Sequence, residues 1–130
     1  MADDRQHDPD EQRLGSMRTI TTAIAVADLM AMADGRFGNL VKAVVDVRRD
    51  LMVVDADMHA DEEAILLEQG SKQEDLWGIN LYPEQFGTPD FIEFDSMINI
   101  RPRQGNRSRS VDDPAARGAI ATIVARLVKA

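Results

Sequence analysis

His59-Ala60-Asp61-Glu62-Glu63 places an imidazole and three carboxylates within five residues. These groups can hold a divalent cation or pass a proton, because a neutral imidazole is basic near pH 7 and a carboxylate is a hard oxygen donor. In that reading His59 is the general base of a small metal-dependent hydrolase or nuclease, and Asp61 or Glu62 holds the metal. The same spacing has a plainer use. Acids are favoured at a helix N-terminus by its dipole, and no second His stands at a ligand spacing. On its own the cluster specifies neither a metal nor a cofactor.

A second group is the loop Arg101 to Arg109, RPRQGNRSR, with four Arg and no acid. A guanidinium offers paired donors that match carboxylate or phosphate. Gly105 lets a backbone approach an anion closely, and Ser96, Asn99 and Asn106 add neutral donors. We expect Arg101, Arg103, Arg107 and Arg109 to clamp an anionic small molecule or make a local phosphate contact, with Asn99 and Asn106 orienting it. No Walker lysine follows and GNRS is not a dinucleotide fingerprint, so a nucleotide as such is not specified. The competing use is ion pairing with residues 55–75, where eight acids stand against one base, Lys72. A third group holds Trp77 and Tyr82, the single Trp and Tyr of the chain. Exposed, they would stack on a base or sugar; Trp77 shares parity with Ile79 and Leu81, which predicts the core instead. Gly78 and Asn80 then face the other way and can line a cleft.

The whole chain narrows these options. It has 130 residues, 44% of them hydrophobic and 29% charged, with no Cys and two His. Thiolate nucleophiles, disulfides and Cys-ligated metals are excluded. A net charge of -8 opposes bulk attraction to nucleic acid or an anionic membrane. There is no run of about 18 apolar residues and no signal-like N-terminus, so a cytoplasmic protein is the default expectation.

The elements that must carry the candidate groups follow from periodicity and punctuation. After Met1, residues up to 16 hold one large apolar residue, Leu14, and residues 1–16 read as a leader, with Gly15-Ser16-Met17 as a cloning remnant or an internal start. Residues 17–130 form the expected single domain. A short strand over 17–20 precedes a helix over 23–34, capped by Thr21 or Thr22 and closed by Gly35. LVKAVVDV (40–47) and LMVVDA (51–56) read as a hairpin. A helix over 62–69, capped by Asp61 and ended by Gly70, follows; residues 65–68 can alternatively be read as a strand. LWGINLY (76–82) reads as a strand. FIEFDSMINIR (91–101) reads as a long or bulged strand with Ile92, Phe94, Ile98 and Ile100 on one face. Asp112 or Asp113 caps a last helix over 114–129, with Pro114 in its first turn. The order (β)αββαββα predicts an α+β fold: a two-layer sandwich of three helices on one side of a mainly antiparallel sheet of about four or five strands.

The strings HADEE, DLWGINLYP and FDSMINIRPRQGNRSR, within residues 37–113, resemble a family of small uncharacterised bacterial proteins, a domain of unknown function. That resemblance implies one domain over most of the chain and assigns no catalytic residue or cofactor. The leading expectation is therefore an anion-binding protein. A hydrolase built on His59 is the alternative, and it requires His59 and the Arg loop to share a cleft. A non-catalytic partner-binding or dimerising protein, using an exposed apolar strip or edge strand, is the third.

Overall fold

The computed structural model describes residues 15–130. Of the expected leader, only Gly15 and Ser16 fall among the described residues, and Ser16 Oγ accepts a hydrogen bond from Arg36 Nη2 at 2.6 Å. The chain runs through β1 (Arg18–Ile20), β2 (Ile24–Ala25), α1 (Val26–Asp34), β3 (Val41–Asp46), β4 (Leu51–Val54), α2 (His59–Glu68), β5 (Leu76–Leu81), β6 (Ile92–Glu93), α3 (Pro114–Leu127) and β7 (Val128–Lys129). Strands β1, β4, β3, β5 and β6 lie side by side in that order, every pair antiparallel. Strands β2 and β7 form a separate parallel pair. This is the expected α+β class, with three α-helices and an antiparallel sheet among the described residues.

Alternation along the strands sets both faces. Ala43, Val45, Met52, Val54, Ile79 and Leu81 pack with Leu29 of α1 and with Ile120, Ile123 and Leu127 of α3. Val44, Leu51, Val53 and Leu76 point the other way and pack with Ile65 and Leu66 of α2. The helices are thus divided between the faces rather than gathered on one side. The apolar runs of β3, β4 and β5 reflect strands covered twice, with Lys42, Asp46 and Asn80 as the polar exceptions on the α2 face.

The β3–β4 hairpin forms as expected. Asp46 Oδ1 accepts from the backbone N–H of Arg48 and of Arg49, each at 2.9 Å. Asp50 takes the left-handed conformation, φ 63°, which Asp tolerates better than most residues.

Several boundaries differ from expectation. Helix α1 begins at Val26, not residue 23, because Ile24 and Ala25 pair with β7; Thr21 and Thr22 do not cap it. Gly35 stays right-handed, and Gly38, at φ 92°, makes the left-handed turn. Helix α2 begins at His59, so Asp61 lies inside the first turn rather than capping it, and residues 65–68 are helical. Gly70, at φ 101°, does end that segment. Asp113 caps α3 through Oδ1 and the N–H of Ala115 at 3.0 Å, but Val128 and Lys129 leave the helix for β7.

The largest departure is the strand expected over 91–101. Only Ile92 and Glu93 pair with β5. Beyond them Ser96 Oγ accepts from the N–H of Ile98 at 3.3 Å and the chain turns through a 3₁₀ segment, Met97–Asn99. Ser and Asn side chains compete for backbone groups in this way, and even-residue alternation alone does not outweigh them. Among the described residues no helix is long and apolar enough to cross a membrane.

Candidate functional site

A cleft of about 160 Å³ opens on the α2 side of the sheet, lined by Lys42, Met58, His59, Ala60, Asn80, Asp95, Ser96, Met97, Ile98 and Arg109. The sheet places Lys42 directly opposite Asn80, on the face that carries Val44. His59 enters as the first residue of α2. The segment after β6 brings the rest, and its position depends on Gly78. A Cβ there would lie 2.5 Å from Ser96 Cβ and 3.2 Å from His59 Cδ2, so only glycine lets the segment close against β5.

Asn99 holds that segment down. Its Oδ1 accepts from Gly78 N–H at 2.8 Å, while Nδ2 donates to Gly78 O at 2.9 Å and to Arg109 O at 3.0 Å. The carboxamide thus replaces a neighbouring strand at Gly78. Ser96 N–H also donates to Arg109 O at 3.0 Å, fixing the backbone from which the Arg109 side chain leaves.

The site's electrostatics are uneven. His59 Nε2 lies 2.7 Å from the Ile79 carbonyl, which assigns the proton to Nε2 and makes Nδ1 the basic nitrogen. Burial pushes the imidazole below its ordinary 6.5 and the Lys42 charge adds to this, against the Ile79 carbonyl and Asp95. Asn80 Nδ2 donates to Glu93 Oε1 at 2.8 Å and faces the Asp95 carbonyl at 3.5 Å, two acceptors that fix its orientation, and its side chain also favours the protonated imidazole of His59. Arg109 Nε donates to Asp95 Oδ1 at 2.6 Å. Lys42 is half-buried with its ammonium 5.1 Å from the Phe37 ring centroid. Among the described residues no carboxylate pairs with it.

The residues singled out from sequence are distributed as follows. His59 and Arg109 share the cleft. Asp61 is exposed. Glu62 is fully buried, with one oxygen accepting from Ala56 N–H at 3.2 Å and the other without a partner. Burial pushes its pKa well above 4.5, which favours the neutral acid. Among the described residues no group of three or more His, Cys, Asp or Glu could hold a metal ion.

Within the Arg loop, Arg101 lies 4.2 Å from the Trp77 ring centroid and gives Nη1 to the Gln73 carbonyl, while Nε and Nη2 are buried without a hydrogen-bond partner. Burial lowers its pKa. It lines a separate cavity with Arg103. Arg103 and Arg107 are exposed. Contact with the acidic segment is made through main-chain carbonyls, Gln73 to Arg101 and Glu74 to Gln104, rather than through carboxylates. Asn106 is buried and bonded to the carbonyls of Asn99, Ser108 and Ser110 and to Asp112 N–H. The amide groups of Asn99 and Asn106 are therefore engaged with backbone. Gly105 serves a left-handed turn, φ 84°. Trp77 is in the core, and Tyr82 donates to Glu93 Oε1 at 2.8 Å.

Lys42, Asp95, Met58 and Met97 were not singled out. Lys42 had one legible signal: it is the only cation in the apolar run 40–47.

The profile of one protein family, described as a protein of unknown function, matches residues 18–127. The chain belongs to DUF5674. The match spans every element that lines the cleft. No curated protein and no solved structure matches the chain. DUF5674 membership thus leaves the activity to be argued from the site.

Proposed function

We propose that the protein binds a small anionic ligand in the cleft at the start of α2, with Lys42 and Arg109 as its cationic contacts. The observation that carries this reading is Lys42: a half-buried residue lining the cleft, its ammonium paired with no carboxylate among the described residues. A cation lining a cleft attracts an anion placed there more strongly than one in bulk water. Arg109 supports it, since its bond to Asp95 uses Nε and leaves the terminal nitrogens. Of the four loop arginines this reading keeps Arg109 at the ligand; Asn99 and Asn106 hold the loop that carries it. A ligand that binds only the folded state raises Tm by mass action. Millimolar acetate or phosphate should raise Tm in the wild type and have little effect on Lys42→Met; equal shifts in the two would contradict the proposal.

A hydrolase is the second reading, favoured because His59 and Arg109 line one cleft. His59 Nδ1 would be the general base and Arg109 would stabilise charge developing on the substrate. Asp61 and Glu62 have no part in it, one being exposed and the other fully buried, and neither lines the cleft. Turnover of nitrophenyl esters or phosphates that is lost in His59→Ala supports this reading; equal turnover in both proteins excludes it.

A further inference from the structure

The cleft is more than a charged pocket. Met58 precedes α2 and Met97 opens the 3₁₀ turn after β6, and both line it with Ala60 and Ile98. Met58 is 57% exposed and Met97 64%. Two large apolar side chains held in solvent beside the same cleft need cover, and unbranched thioethers adapt to a flexible apolar partner. An inorganic anion would leave both bare.

Charge narrows the ligand further. Arg109 is matched by Asp95, which leaves Lys42 as the cleft cation that pairs with no carboxylate among the described residues, so one negative charge balances the site and two exceed it. The volume, about 160 Å³, compares with the cavities of about 150 Å³ that take a six-carbon aromatic ring.

We propose that the natural occupant is a short aliphatic carboxylate, a monoanion of about six carbons whose acid group meets Lys42 and whose chain lies against Met58 and Met97. This rests on the reading that Lys42 holds an anion.

The test is calorimetric titration of the full chain with acetate, butanoate, hexanoate and octanoate, with phosphate and hexylammonium as controls. A buried methylene contributes about 0.8 kcal/mol, roughly fourfold in Kd. The expected result is a two- to fourfold gain per methylene up to about six carbons, levelling beyond, with hexylammonium not binding. The double variant Met58→Gln, Met97→Gln alters only exposed side chains; it should keep acetate binding and lose the dependence on chain length. Acetate binding with a flat series overturns the aliphatic ligand and leaves the anion site standing. A slope unchanged in the double variant overturns the role of the methionines. Hexylammonium binding as well as hexanoate overturns the carboxylate. Absence of binding by every acid and by phosphate overturns this inference together with the anion reading.

Discussion

His59 and Glu62 lie one helical turn apart on α2, and burial moves both toward their uncharged forms. The consequences for stability have opposite signs. His59 has a folded pKa below 6.5, so its contribution is present above that pH and is lost as pH falls toward the folded value. Glu62 has a folded pKa well above 4.5, so its contribution is present below that pH and is lost as pH rises toward the folded value. Glu62→Gln keeps the shape of the neutral acid without its ionisation. Denaturant melts should show the variant gaining on the wild type as pH rises from 4.5 to neutral. Parallel profiles for the two proteins would mean that Glu62 is not held neutral.

At the scale of elements, the segment from Asp95 to Arg109 behaves as a shaped support rather than as a strand or a free loop. Asn99 joins it to β5 in place of a strand partner, and its removal would leave buried Gly78 N–H and C=O groups unpaired. Asn99→Ala should therefore cost roughly 3 kcal/mol, about 10 °C in Tm. A loss within 0.5 kcal/mol of zero, read by urea melts, would show that the segment is held by other contacts. This is also where sequence reading met its limit. The β3–β4 hairpin, β5 and the Asp113-Pro114 start of α3 were legible because local chemistry and burial agree there. The 91–101 run departs from the expected strand after Glu93, because alternating apolar residues resemble a strand whereas Ser96 and Asn99 bond to backbone and turn it. Asn99 and Asn106 looked like ligand donors for the same reason: a side chain that serves its own backbone has the same residue type as one that serves a ligand.

Across the whole molecule, the sheet covered on both faces leaves the second face apolar where α2 packs and polar where α2 begins. The cleft forms at that boundary, from β3, β5, the start of α2 and the supported segment. Lys42 and Arg109 are 67 positions apart and meet only through the β3–β5 register and the closure at Gly78, so their juxtaposition could not be read from spacing. The expected clamp of four arginines is a cluster in sequence that the fold disperses: Arg101 and Arg103 line one cavity, Arg109 another, and Arg107 is exposed outside both. The overall charge of -8 gives an anionic ligand no long-range attraction, so binding must rest on local contacts in the cleft. The most direct test of that account is an NMR titration of the full chain with acetate, following the amides of Lys42, His59, Asn80 and Arg109 in the wild type and in Lys42→Met. The account predicts saturable shifts that cluster at these residues and a Kd at least tenfold weaker in the variant; shifts scattered over the surface, or an equal Kd in both proteins, would contradict it.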